Sequence, residues 1–147
     1  IKEIHSLVLI DRPEDKGTYR RIPVRIMGAK HEPPEPYLVP IQMEQLIRRH
    51  AEEKRTMHPV ETAALFHLRF QGIHPFIDGN GRTGRLLLNF ELITAALPAI
   101  NVKYTDRKKY YDCFSAYYET GSVNQMALLI GEYVEQMLDR YLAILQE

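Results

Sequence analysis

The feature that most constrains the fold is a glycine-rich turn between two stretches that are apolar on nearly every side. Residues 59–70 and 85–97 both carry the apolar pattern of buried helices. Between them, at residues 74–85, lies the sequence HPFIDGNGRTGR. Helices without a polar face must be covered by the rest of the chain. We therefore expect two central helices, joined by this turn.

The rest of the chain predicts further helices and one small β element. Apolar residues recur at helical spacing near the start, after Pro40, after Asp106 and from Ser122 onward. At residues 22–26, the apolar residues Ile22, Val24 and Ile26 alternate with Pro23 and Arg25, and this period of two predicts a strand or hairpin arm. Pro23 has no N–H to donate, so the strand should lie at an edge. The expected fold is mainly α.

Length, charge and cysteine content limit the class of protein. A chain of 147 residues can bury one sizeable core, so we expect a single domain over residues 1–147. Nineteen basic residues balance nineteen acidic ones, which argues against nucleic acid or an anionic membrane as partner. Cys113 alone cannot form an internal disulfide. We expect a soluble, cytoplasmic protein, with flanking regions outside this chain.

Known motifs of other folds could also account for the glycine-rich turn. Residues 78–81 contain two strong hairpin signals, but a hairpin needs alternating strands on both sides. Gly79, Gly81 and Gly84 also satisfy the dinucleotide fingerprint, which must follow a buried strand. The flanks are predicted to be helices, so neither alternative is favoured. A P-loop is excluded because no Gly-Lys-Ser/Thr follows.

The same turn carries the side chains that a triphosphate requires. A Gly-Asn-Gly sequence entering a helix, at residues 79–81, presents backbone N–H groups to an anion. Arg82 and Arg85 lie three apart and can bind further phosphate oxygens. Asp78 could hold a divalent cation, and His74 could accept a proton near neutral pH. The sequence predicts a triphosphate site with a base beside it.

These residues resemble the motif of the Fic family, HPFx(D/E)GNGRxxR, at every specified position. The resemblance covers roughly residues 1–133 and includes the IKEIH start, Tyr19-Arg20, Pro33-Pro34 and His58-Pro59. Two departures stand out: Gln71 replaces a frequent acidic residue, and residues 97–99 read Leu-Pro-Ala instead of Tyr-Pro-Pro. The resemblance implies a Fic-type helical domain whose motif lies between central helices.

The resemblance also implies a reaction, the transfer of AMP from ATP to a Ser, Thr or Tyr hydroxyl of a target protein. His74 would deprotonate the acceptor hydroxyl, and Asp78 would hold Mg²⁺. The phosphates would be bound by Gly79, Asn80, Gly81, Arg82 and Arg85. Alternatives at the same site are the removal of AMP, the transfer of another phosphate-containing group, and a nucleotide-binding module without catalysis.

Three further expectations follow from the same resemblance. Residues 18–34 correspond to a β-hairpin flap, on whose edge a target protein would dock. Tyr110 and Tyr111 would line the adenine pocket. Many relatives carry an inhibitory (S/T)xxxE(G/N) helix; Ser115 and Glu119 have its spacing, but Thr120 breaks it. We expect this match to be coincidental and any inhibitory helix to lie before Ile1.

Overall fold

The computed structural model describes residues 1–146 and is mainly α-helical, as predicted. Its six helices are α1 (Lys2–Val8), α2 (Val39–Glu53), α3 (Pro59–Ile73), α4 (Asn80–Thr94), α5 (Arg107–Thr120) and α6 (Asn124–Leu145). Short 3₁₀ turns precede α2 and α5, at Pro36–Leu38 and Tyr104–Asp106. Across residues 1–146, none of these helices has the length and apolarity needed to cross a membrane.

Helix α3 lies at the centre of the molecule, between two apolar clusters. On one side, Ala64 and Leu68 pack into a cluster completed by α4, α5 and α6. On the other side, Phe66 and Phe70 pack into a cluster with α2 and with Phe76 of the motif. Each side of α3 thus faces its own core, which explains why its sequence has no polar face.

Helix α4 begins at Asn80, so the second half of the motif forms its first turns, as expected for a Gly-Asn-Gly turn that enters a helix. Its burial differs from the prediction. Leu86, Phe90 and Ile93 are exposed, so the expectation that this helix is buried all round was wrong. Only the face carrying Leu87, Leu88 and Leu92 meets the two cores.

The crossing of α3 and α4 is close because Gly84 lacks a side chain. A Cβ atom placed on Gly84 would lie 2.1 Å from Nε2 of Gln71 and 3.2 Å from Cδ1 of Phe70. The Gln71 amide uses the space to donate a hydrogen bond to the Asn80 carbonyl, at 3.2 Å. This contact ties the end of α3 to the start of α4 across the motif.

The predicted β-hairpin at residues 18–34 is not confirmed, since no strand is found within residues 1–146. The expected turn is present: Gly28 has a φ of 78°, and the Ala29 N–H donates to the Ile26 carbonyl. The chain on either side of this turn forms no ladder. Prolines at positions 23, 33 and 34 remove three N–H donors from the two arms. We call residues 18–34 the flap segment.

Candidate active site

His74 ends helix α3 in an uncommon backbone conformation. Its φ of 50° and ψ of 59° lie in the left-handed region, which non-glycine residues rarely adopt. The turn directs the chain from α3 into the loop that starts α4. Nδ1 of the imidazole lies 3.3 Å from the Gln71 carbonyl, which can only accept, so Nδ1 carries the proton. Nε2 is therefore the nitrogen that can accept a proton.

The surroundings of His74 keep its imidazole neutral. Burial lowers the pKa of His74 below its ordinary value, and the charges of Arg20 and His31 lower that pKa further. The hydrogen bond to the Gln71 carbonyl raises the pKa of His74, but by less than burial lowers it. A neutral imidazole with Nε2 unprotonated is the form required of a general base.

The carbonyl groups at the end of α3 accept hydrogen bonds from side chains of the flap segment. His31 Nε2 donates to the Gly72 carbonyl at 2.9 Å, while its ring stacks on Tyr118. Arg20 donates from Nη2 to the Ile73 carbonyl and from Nε to the His74 carbonyl, at 3.3 and 2.8 Å. A helix leaves its last carbonyls without helical partners, and these donors satisfy them.

The loop between α3 and α4, residues 74–79, is held from inside by Asn80, and we call it the motif loop. The Asn80 side chain accepts a hydrogen bond from the Phe76 N–H at 2.9 Å and donates one to the Phe76 carbonyl at 2.8 Å. Both ends of the amide are used, and Asn80 is buried. A phosphate contact from this residue would therefore come from its backbone.

His5 of α1 holds the motif loop from the outside. Its fully buried ring stacks on Phe76, with centroids 3.6 Å apart and an interplanar angle of 4°. Nδ1 accepts from the Gly17 N–H, so Nε2 carries the proton and donates to the Asp78 carbonyl at 2.9 Å. Phe76 is thus enclosed by α1 and by the α2–α3 core.

Asp78 and Arg82 lie at the exposed rim of the motif loop. The Asp78 carboxylate accepts from the Gly79 N–H through Oδ1, and Arg82 Nη2 lies 4.0 Å from the same oxygen. Arg82 also donates to the Val8 carbonyl of α1 at 3.1 Å. About half of each side chain is exposed, so both can reach a ligand from this rim.

A cleft of about 350 Å³ opens beside the start of α4. Arg82, Arg85 and Tyr110 line it, together with the side chain of Leu86 and the segment from Ile100 to Val102. Arg85 takes part in none of the ion pairs formed within residues 1–146. Of the four predicted cationic and aromatic side chains, three therefore line one cleft: Arg82, Arg85 and Tyr110.

The two tyrosines predicted for the adenine pocket lie in different environments. Tyr110 is buried and lines the cleft, while its hydroxyl donates to His67 Nε2 at 2.7 Å. Tyr111 is about half exposed, does not line the cleft, and packs near the Arg107 guanidinium. The structure brings Tyr110 to the motif arginines and leaves Tyr111 outside the cleft.

His67 connects the motif helix to α5. Nδ1 donates to the Gly84 carbonyl at 3.0 Å, so Nε2 is the acceptor for the Tyr110 hydroxyl. Burial lowers the pKa of His67 to about 4, and the charge of Arg85 contributes in the same direction. This neutral histidine fixes both Tyr110 and the first turns of α4.

The sequence-based site prediction omitted Arg20, His5 and His67 as functional residues. Each bonds a backbone group of residues 73–84 from a distant part of the chain. Arg20 and His5 fall within the stretches that resemble the Fic family, at Tyr19-Arg20 and IKEIH. For His67, the only signal in the sequence was its position as a polar residue within a helix expected to be buried.

Comparison with known families agrees with this geometry. A family profile described as Fic/DOC family matches residues 1–92, which include the whole motif. The chain belongs to the Fic/DOC family. Among its curated relatives, the Protein adenylyltransferase Fic of Drosophila yakuba is 39% identical to this chain over 145 residues. The Culex quinquefasciatus protein of the same name is 40% identical over 143 residues.

Solved structures of Fic proteins have the same fold. A Fic domain containing signaling protein from Bacteroides thetaiotaomicron has a TM-score of 0.84 and 27% identity, covering 94% of this chain and 59% of that one. Fic-1 from C. elegans has a TM-score of 0.79 and 25% identity, covering 97% and 44% respectively. The two insect matches cover 97% and 95% of this Fic/DOC chain. It spans only 28% of each relative's length.

Proposed function

We propose that the chain transfers AMP from ATP to a hydroxyl side chain of a target protein and releases pyrophosphate. The observation that carries the proposal is the contact of His74 Nδ1 with the Gln71 carbonyl, which leaves Nε2 to accept a proton. His74 lies in the loop that leads into α4, whose first N–H groups can bind an anion. The name of the curated insect relatives, protein adenylyltransferase, agrees with this activity.

The proposed reaction needs one proton acceptor and one phosphate cradle. The acceptor hydroxyl gives its proton to His74 Nε2 while its oxygen forms a bond to the α-phosphorus. The bond from that phosphorus to the oxygen bridging the α- and β-phosphates breaks, and pyrophosphate leaves with the electron pair. AMP remains on the target as a phosphodiester, so atoms and charge balance.

The cradle for the phosphates is proposed at the first turn of α4. The first helical hydrogen bond runs from the Thr83 N–H to the Gly79 carbonyl, so the N–H groups of Gly81 and Arg82 precede the ladder. They can donate to phosphate oxygens, as can the guanidinium groups of Arg82 and Arg85. Tyr110 lines the same cleft, and its ring is proposed to contact the adenine.

Asp78 fits the proposed role of magnesium ligand. Its carboxylate is about half exposed, and Oδ2 has no hydrogen-bond partner among residues 1–146. No cluster of three His, Cys, Asp or Glu side chains is found in that part of the chain, and magnesium bound to a nucleotide needs only one or two protein carboxylates. Magnesium, when bound, would neutralise charge on the phosphates.

The flap segment is proposed as the docking site for the target. The backbone groups of Val24 and Arg25 make no hydrogen bond within residues 1–146, and residues 23–26 belong to no helix or strand. An extended target segment could pair with these groups as an added strand. Such pairing would bring the acceptor hydroxyl to His74, because Arg20 joins the flap segment to that residue.

Labelled ATP tests the proposal. The chain is incubated with magnesium, a cell lysate and ATP labelled at the α- or the γ-phosphate, alongside His74→Ala and the control His58→Asn, at an exposed histidine whose helix cap asparagine can replace. We expect α-label on protein with the unmodified chain and with His58→Asn, and a loss of at least about 10²-fold with His74→Ala.

Two other outcomes would contradict the proposal. Label that enters protein only from the γ-phosphate would identify a phosphotransferase instead. If no label is transferred to the chain or to any lysate protein although ATP binds, the domain is a nucleotide-binding module.

A further inference from the structure

Arg20 is a buried cation whose partners are almost all backbone carbonyls. The residue is only 4% exposed, yet it takes part in none of the ion pairs within residues 1–146. Burial lowers the pKa of Arg20, and the nearby charge of Glu35 opposes that shift. Removing a guanidinium from water is costly unless its donors are bonded, so these carbonyl contacts must compensate.

The contacts of Arg20 converge on one turn. Its side chain donates to the carbonyls of Ile73 and His74, and its own N–H donates to the carbonyl of Pro75 at 2.9 Å. Three consecutive carbonyls are therefore bonded by one residue. They surround the left-handed backbone of His74, a conformation that persists only where neighbouring groups hold it.

The same guanidinium also holds both arms of the flap segment. Nη1 donates to the Ile22 carbonyl at 3.2 Å, and Nη2 donates to the Pro34 carbonyl at 2.5 Å. These carbonyls lie on either side of the turn at Gly28. In the absence of a β ladder, the Arg20 side chain links the two arms to each other and to the end of α3.

We propose that Arg20 is a positioning residue, which holds the His74 turn and the two arms of the flap segment in one fixed arrangement. The proposal rests on the function proposed above, because the arrangement matters for transfer between a base and a target docked on the flap segment. The planar fork of arginine can bond several carbonyls at once, which the single ammonium of lysine cannot reproduce. Arg20 thus acts through His74 and need not touch the nucleotide.

The first test uses Arg20→Lys, with Arg48→Lys as the matched control at an exposed arginine of α2, outside the flap segment. We expect Arg20→Lys to lower kcat for AMP transfer at least about tenfold, since small misplacements of a reacting group are costly. ATP affinity should change less than about threefold, because His5 and Asn80 hold the motif loop independently. Arg48→Lys should change neither quantity. An unchanged kcat in Arg20→Lys would overturn the proposal.

The second test does not depend on activity. Hydrogen exchange of the backbone amides is measured in both variants, and we expect faster exchange at His74 and Phe76 in Arg20→Lys only. The amide of Leu68, in the middle of α3, should exchange as in the unmodified chain. If all of α3 accelerates together, or if Arg20→Lys does not fold, Arg20 contributes to stability alone and the proposal is wrong.

A third measurement uses the unmodified chain and so avoids any folding defect. We expect the Nε–H of Arg20 to exchange with water much more slowly than that of Arg21, because only the former is buried against a carbonyl. Equal exchange rates would contradict the structure's assignment. If the unmodified chain binds ATP but transfers no AMP, the proposed function fails, while the two exchange measurements still decide whether Arg20 holds the turn.

Discussion

His74 shows how a single residue can serve both the backbone and the chemistry of a site. Its left-handed conformation ends α3, and the same turn lets Nδ1 donate to the Gln71 carbonyl one turn earlier. That bond selects the tautomer in which Nε2 can accept a proton. The base is therefore oriented by its own helix, without a carboxylate partner among the described residues.

His67 should make the domain sensitive to acid. Its pKa is about 4 in the folded chain and about 6.5 in an unfolded chain, so between these values the unfolded state binds more protons. The free energy of unfolding should therefore decrease as the pH falls from 6.5 to about 4. The shift corresponds to about 3 kcal/mol, fully lost below pH 4.

Urea unfolding of His67→Asn at pH 7 and pH 4 measures this contribution. We expect the variant to be less stable than the unmodified chain at pH 7 but to lose about 3 kcal/mol less on acidification. His58→Asn is the control, since His58 is exposed and asparagine can also cap a helix. The same loss on acidification in both variants would show that His67 does not titrate as described.

At the scale of elements, the crossing of α3 and α4 depends on Gly84. Gly84→Ala would force Gln71 and Phe70 to move, and overpacking of this kind costs about 1–3 kcal/mol. Gly131→Ala in α6 is the control, because an added Cβ would have no atom within 4 Å apart from its own helix backbone and chain neighbours. That substitution should stabilise the chain by about 0.5–1 kcal/mol through helix propensity.

Thermal unfolding of the two alanine variants tests this comparison. We expect the melting temperatures to move in opposite directions, with Gly84→Ala below and Gly131→Ala above the unmodified chain. An increase for Gly84→Ala would mean that the Gln71 side chain can leave the crossing without loss.

The elements that the sequence predicted well are those whose signal is local. Apolar periodicity indicated the helices, and the motif indicated His74, Arg82 and Arg85. Alternation at residues 22–26 predicted a β element that is not found within residues 1–146, because a ladder also needs N–H donors that Pro33 and Pro34 lack. Arg20 and His5 contact the motif loop from more than fifty residues away, which no local pattern records.

At the scale of the whole molecule, α3 makes the two apolar clusters one cooperative unit. Met43 lies in the cluster that includes Phe76 of the motif loop, and Leu129 lies in the cluster that includes α6. Each side chain is 1% exposed. Truncating either to alanine should cost about 2–5 kcal/mol. Because both clusters share α3, we expect a single unfolding transition in each variant.

Circular dichroism of the backbone and of the tyrosines, followed during urea unfolding, checks this cooperativity. The two signals should coincide for Met43→Ala and for Leu129→Ala. Leu128→Ala is the control, since this neighbour is 67% exposed and should change stability by less than about 0.5 kcal/mol. Two separated transitions would mean that the clusters unfold independently.

The contact of His5 with the motif loop has a consequence for how such domains are recognised and shortened. A version of the chain that starts after Val8 would keep all twelve motif residues, and a pattern search would score it as intact. It would nevertheless lose the ring stacked on Phe76 and the donor to the Asp78 carbonyl. Domain boundaries drawn from the motif alone would therefore discard a residue that holds the motif loop, 73 positions before Asp78.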